Sequence, residues 1–103
     1  MKLFTIETIP GQAFEALDTV KGTVVYSKNF GRDFMSGMKT LVGGEIAGYT
    51  EMLTEARQIA TKRMVDAAEA LGADAVVGLR YASASVMQGA AEVIAYGTAV
   101  KFK

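Results

Sequence analysis

Two arginines and one tyrosine are the residues of this sequence whose chemistry best suits a bound ligand. Arg57 falls at the edge of an apolar helical stripe, and Arg80 interrupts an otherwise apolar strand, where alternation places it on the face of Val76 and Gly78. An arginine in such a position extends its charge to water, pairs with a carboxylate of its own chain, or binds an anion. We therefore regard Arg57, Arg80 and Tyr49 as candidate ligand-binding residues, with Arg80 facing a pore, a subunit interface or an anion.

The composition excludes most catalytic and metal-binding chemistry. The chain contains no cysteine and no histidine, so the dyads, triads and zinc or copper sites built on those residues cannot form. Only oxygen ligands are left for a metal ion, and the candidates are Glu45, Glu51 and Asp74. We name no catalytic residue, expect no cofactor, and favour a protein that is not an enzyme.

The charge balance argues against two classes of partner. The 11 basic residues offset 11 acidic ones without forming a basic cluster, which disfavours nucleic acid. No apolar run approaches the ~20 residues of a membrane span, and the N-terminus does not follow the pattern of a secretory signal. We expect a cytoplasmic protein that binds neither nucleic acid nor membrane.

One long helix is predicted over residues 45–71, and it carries two of the three ligand candidates. Small or apolar residues recur there every three or four positions and so share one stripe: Ile46, Tyr49, Leu53, Ala56, Ala60, Met64, Ala67 and Leu71. Gly43 and Gly44 break the chain before it. Gly72 suits the left-handed residue that ends a helix, because glycine adopts positive φ at little cost.

A second group of apolar positions lies beside that stripe, around Met52, Ile59 and Arg63. One explanation is a wider face toward the protein's own core, and the other is contact with a neighbouring subunit. A chain of 103 residues, half of them hydrophobic and 21% charged, buries only a small core and gains stability by oligomerising. Met52, Ile59 and Arg63 are therefore candidate interface residues.

The other elements are predicted from alternation and turn residues. Strands are expected at residues 3–6, 20–28, 75–81 and 92–102, with an extended piece at 14–17 and a short helix at 32–42. Gly22 indicates a bulge or a close backbone approach. The last two strands form a hairpin with Gln88-Gly89 as its turn. The final strand has a small face, on which the long helix can lie, and a larger face that needs a cover such as a neighbouring subunit.

Two blocks late in the chain stand out, Leu71-Gly72-Ala73-Asp74-Ala75-Val76-Val77-Gly78 and Gly97-Thr98-Ala99-Val100. They follow Arg32-Asp33-Phe34, Gly43-Gly44, Tyr49, Glu51, Leu53, Ala56-Arg57 and Ala60. In type and order these residues resemble the YbjQ-like family of small bacterial and archaeal proteins. The resemblance implies one domain over residues 1–103 with a dodecin-subunit-like fold. That fold is a two-layer α+β strand–helix–strand–strand arrangement with an antiparallel sheet, to which this chain adds a short N-terminal strand and a short extra helix.

The resemblance also implies a ring-shaped homopentamer and brings the label of a heavy-metal-binding protein, without agreed catalytic residues. This chain departs from the family at three places. Residues 18–25 lack the cysteine of some relatives, Glu45 stands where many have arginine, and Leu79-Arg80-Tyr81 replaces acidic residues that often follow Gly78. Because of these changes we discount a heavy-metal site built from thiolates or carboxylates.

Three hypotheses follow from the sequence. The leading one is a homo-oligomer, a pentameric ring, that binds a small ligand or ion at its subunit boundaries without catalysis. The first alternative is a protein that binds heavy metals or other divalent cations through oxygen ligands. The second is an enzyme whose active site at an interface combines Arg57, Arg80, Tyr49 and a carboxylate.

Overall fold

The computed structural model describes residues 1–27, 45–87 and 90–103, with the side chains of Ser27 and residues 45–49 left out. The predicted helix at 32–42, the Gly43-Gly44 break and the Gln88-Gly89 turn lie outside the described residues. Within them the chain forms four strands and one long helix, in this order: β1 (Lys2–Leu3), β2 (Phe14–Ser27), α1 (Glu45–Ala70), β3 (Ala75–Met87) and β4 (Ala90–Phe102).

The strands form one mixed sheet in the order β1-β3-β4-β2. Both β2 and β3 run antiparallel to β4, which lies between them, while β1 adds to β3 in parallel. The predicted α+β architecture is therefore confirmed, and its antiparallel part holds for the three long strands. The connection through α1 carries the chain across β4, from one side of that strand to the other.

Helix α1 ends as its sequence predicts. Gly72 has a φ of 78°, and the Gly72 amide donates to the Glu69 carbonyl at 2.9 Å. The Ala73 amide donates to the Ala68 carbonyl at 3.1 Å. These two bonds together form a Schellman motif, which satisfies carbonyls that the end of a helix otherwise leaves unpaired.

The core lies between α1 and one face of the sheet. The helix buries residues spaced four apart, and the sheet supplies small and branched side chains; the cluster comprises Val20, Ala56, Ala60, Met64, Ala68, Val76, Leu79, Val93, Ala95 and Ala99. The small face of β4 thus packs on the helix, as predicted. The helical stripe is rotated from its predicted position: Leu71 is 47% exposed, whereas Met52 is 4% exposed.

The N-terminal segment, residues 1–13, covers one end of the opposite sheet face. Phe4 and Ile9, together with Phe14 of β2, pack on Ala75, Val77 and Val100. The segment also continues along the edge of β3, because the Gly78 amide donates to Ile6 and the Leu79 amide to Phe4. At this end the chain itself provides the cover that the larger face of β4 requires.

A bulge in β3 changes which side chains face the helix. Val77 pairs with Thr98 but Arg80 pairs with Tyr96, so two residues of β3 oppose one of β4, and Gly78 there has a φ of 66°. As a result Leu79 joins the core beside Val76, and Arg80 falls on the opposite face. The interpretation that Arg80 shares a face with Val76 is therefore wrong, because strict alternation does not hold across the bulge.

The β3–β4 hairpin extends beyond its predicted limits. Strand β3 was expected to end at residue 81 but continues to Met87, and residues 82–87 are all exposed. We call residues 82–87 and 90–92 the distal arm. The outline of the chain is elongated, at 50 × 27 × 18 Å.

Candidate functional site

A surface groove of about 460 Å³ runs between α1 and β3. Its lining consists of Thr54, Arg57, Gln58, Thr61, Lys62 and Tyr81. The five helical residues recur at intervals of three or four positions, as Thr54, then Arg57 and Gln58, then Thr61 and Lys62, so they lie in successive turns on one side of α1. Tyr81 reaches the groove because the Gly78 bulge brings it to the helix face of β3, where it pairs with the core residue Ala95.

Three groove residues are joined by a hydrogen-bond chain with a fixed direction. The Thr61 hydroxyl donates to the Arg57 carbonyl at 2.7 Å, and it lies 2.8 Å from the Tyr81 hydroxyl. A threonine hydroxyl has one hydrogen, so Tyr81 is the donor in the second bond. The phenolic oxygen of Tyr81 therefore keeps its acceptor lone pairs for another partner.

The groove is cationic. It contains Arg57 and Lys62, and none of its six lining side chains is acidic. Lys62 pairs with Asp66 at 3.1 Å in an exposed position, where an ion pair contributes little to stability. Arg57 donates to the Thr54 hydroxyl at 3.3 Å and has no carboxylate partner among the side chains that the structure describes. Its guanidinium is thus available to a ligand.

The other two ligand candidates do not join Arg57 in this groove. Arg80 lies on the far side of the sheet, where its Nη1 donates to the carbonyls of Thr5 at 2.7 Å and Leu79 at 2.8 Å. The side chain of Tyr49 is outside the described residues. Arg57 and Arg80 are therefore separated by the sheet and cannot act on one bound molecule within a subunit.

The described metal candidates are also apart. Glu51 is exposed near the start of α1, and Asp74 follows its end, a distance of about 30 Å at 1.5 Å per helical residue. The Asp74 carboxylate accepts from the Phe102 amide at 2.8 Å and lies 3.5 Å from the Lys101 ammonium. The Glu45 side chain is not described, and the described residues contain no group of three carboxylates suited to a metal ion.

The interface candidates have three different environments. Met52 is 4% exposed, so its own chain buries it without a neighbour. The exposed Arg63 donates from Nη1 to the Thr23 carbonyl at 2.6 Å and so ties α1 to β2 within the subunit. Ile59 is partly buried and keeps surface for a contact.

A second depression of about 340 Å³ lies on the other sheet face. Its lining combines a carboxylate, two aromatic rings and hydroxyls: Glu7, Phe14, Thr19, Val77, Gly78, Tyr96, Gly97 and Thr98. Tyr96 there pairs across the strands with both Lys21 and Arg80. With a single carboxylate in its lining, the depression lacks the group of acidic ligands that a metal ion requires.

Sequence reasoning missed Tyr81 and Thr61 as groove residues. Strict alternation would place Tyr81 on the face away from Val76, and only the bulge reverses this. The available signal was Gly78, since a glycine inside a strand often marks a bulge. Thr61 gave no comparable signal, because a threonine in a polar helical position is ordinary.

The fold and the groove define a small two-layer α+β protein. A family model described as "Putative heavy-metal-binding" matches residues 1–103, and the chain belongs to this YbjQ family. It is 59% identical to a UPF0145 protein of Thermotoga maritima over 104 residues, covering 100% of this chain and 98% of that protein. It is 58% identical to a UPF0145 protein of Clostridium novyi over 101 residues, or 98% of each chain.

A solved structure supports the fold. The crystal structure of a protein of unknown function from the DUF74 family of Pediococcus pentosaceus has a TM-score of 0.72 and 20% sequence identity. The match covers 100% of this chain and 98% of that one. No helix in the described residues combines the length and apolar character that crossing a membrane requires.

Proposed function

We propose that the chain is the subunit of a ring-shaped homo-oligomer, a pentamer, which binds a small ligand or ion at its subunit boundaries without catalysis. The observation that carries the proposal is the pair of open edges on its sheet. In the described part of the chain, no strand pairs with the edge of β2 that faces away from β4, and no strand pairs with the edge of β3 that faces away from β4 beyond Leu79. Open edges of this length are templates for another chain.

The two edges favour a ring because they are different surfaces on opposite sides of the sheet. An interface that joins β2 of one subunit to the free part of β3 in the next is heterologous. Such interfaces form closed rings when the rotation between subunits permits. The sheet geometry therefore supports the cyclic assembly that the family resemblance implies.

The distal arm supports a second copy as the partner. Val86 and Met87 are 52% and 66% exposed, and residues 82–87 carry no charge. The radius of gyration is 16.3 Å, compared with about 13 Å for a compact domain of 100 residues. A small chain with zero net charge gains burial when exposed apolar side chains such as Val86 and Met87 pack on a neighbour.

Gel filtration with light scattering tests the assembly. We expect one species at five times the subunit mass of 10.9 kDa, unchanged on dilution through the micromolar range. A monomer at these concentrations would refute the proposed oligomer. A closed ring with another number of subunits would refute the pentamer but not the ring.

Metal binding is the second candidate, and the family description is the observation that favours it. Within one subunit Glu51 and Asp74 are too far apart to share an ion, so a site would combine carboxylates of neighbouring subunits. Elemental analysis of the purified protein, followed by calorimetric titration with divalent metals, tests this. Absence of uptake would exclude it, and loss of uptake in Glu51→Gln would identify the ligand.

A further inference from the structure

We propose that the groove between α1 and β3 binds a small oxyanion, a carboxylate or a phosphate, that also carries a hydroxyl group. This inference rests on the proposed ligand-binding role and names its ligand class. The oxyanion lies against the Arg57 guanidinium, and its hydroxyl donates to the Tyr81 oxygen. The inference does not require the pentamer.

The charge of the groove selects an anion. Arg57 and Lys62 contribute two positive charges, and no lining side chain offsets them. Lys62 is partly neutralised by Asp66, which lies outside the lining, so Arg57 is the principal contact. Its guanidinium presents N–H groups in the planar arrangement that matches two oxygens of one carboxylate or phosphate.

The hydrogen-bond chain selects a hydroxyl on the ligand. Thr61 directs its proton to the Arg57 carbonyl, and Tyr81 directs its proton to Thr61. The Tyr81 oxygen therefore faces a ligand as an acceptor. A fully ionised carboxylate without a hydroxyl has no proton to give it, whereas a hydroxy acid or a protonated phosphate oxygen does.

The size of the groove agrees with a ligand larger than a bare ion. A volume of about 460 Å³ lies within the roughly 300–1,000 Å³ range of small-molecule sites. The Tyr81 ring offers an apolar surface, and the Gln58 amide offers both a donor and an acceptor. These groups can contact the part of the ligand that carries the anion.

Calorimetric titration of the full chain with malate, succinate and inorganic phosphate tests the inference. Malate and succinate are matched probes that differ by one hydroxyl. We expect malate to bind several-fold more tightly than succinate. Tyr81→Phe should remove that difference, and Arg57→Gln should weaken every probe by about tenfold or more.

Lys21→Gln is the control, because it removes one positive charge from the far face of the sheet and should leave all affinities unchanged. Binding of malate without binding of phosphate identifies a carboxylate ligand, and binding of phosphate without binding of malate identifies a phosphate ligand. No binding of any probe, or equal loss in Arg57→Gln and Lys21→Gln, overturns the inference. Equal affinity for malate and succinate overturns the hydroxyl requirement. Light scattering on the same samples separates failure of the groove from failure of the proposed ring.

Discussion

Gly22 of β2 lies in direct backbone contact with Ala60 of α1. A Cβ atom at Gly22 would overlap the Ala60 carbonyl oxygen and the Met64 amide nitrogen, and it would lie 2.9 Å from the carbonyl carbon of Arg63. Because these are backbone atoms, no side-chain rotation relieves the overlap. The absence of a side chain at Gly22 therefore sets how closely the helix approaches the sheet.

Gly22→Ala should be strongly destabilising. The added methyl group forces α1 away from β2, and overpacking of this kind costs about 3 kcal/mol or more of the free energy of unfolding. Urea denaturation followed by circular dichroism measures the change. Gly11→Ala is the control, because its Cβ would enter open space. Only its positive φ of 79° disfavours alanine there, which lowers the free energy of unfolding by about 1 kcal/mol. Equal losses in the two variants would contradict the contact.

Substitutions of Asp74 separate a structural role from a metal-binding one. Asp74→Asn keeps an oxygen for the Phe102 amide and should cost less than 1 kcal/mol, whereas Asp74→Ala loses that bond and should cost about 1 kcal/mol more. The free energies of unfolding of both variants give the comparison. If Asp74 instead binds a metal, Asp74→Asn would lower metal uptake while stability is retained.

Arg80→Gln should loosen the N-terminal segment. The guanidinium of Arg80 holds the Thr5 carbonyl, and loss of this bond removes about 1 kcal/mol from the attachment of residues 1–13 to β3. Hydrogen exchange of the Gly78 and Leu79 amides, which bond Ile6 and Phe4, should accelerate about fivefold. Lys21→Gln, with the same loss of charge on the same sheet face, should leave these rates unchanged. Similar acceleration in both variants would indicate a charge effect.

Met87→Glu should disrupt the proposed assembly without unfolding the subunit. Burial of a methionine contributes about 1.5–3 kcal/mol to a contact, and a carboxylate in its place is costly to desolvate. Gel filtration with light scattering should show smaller species. Leu71→Glu is the control. It changes an exposed apolar residue just after the C-terminal end of α1 and should leave the mass of the assembly unchanged. If Met87→Glu assembles like the parent chain, the distal arm is not part of the interface.

The sequence alone predicts the elements that depend on local chemistry. Helix α1 is recognisable from its three-to-four-residue spacing, and its end is set by Gly72. The alternating small residues of β4 identify the strand face that meets the helix. Each of these signals lies within a few neighbouring residues, so the sequence alone is enough to predict the element.

Tertiary structure decided the site and the limits of the sheet. The Gly78 bulge exchanges the faces of Arg80 and Tyr81, because register depends on pairing with β4 and with the N-terminal segment. The groove combines Arg57 with Tyr81, which are far apart in sequence and meet only when α1 packs on the sheet. Likewise β3 continues through small polar residues because β4 supplies hydrogen bonds that local propensity does not reveal. The sequence by itself determined where the long helix and the main strands form. Long-range packing determined on which face of the sheet each side chain lies and which side chains meet in the groove.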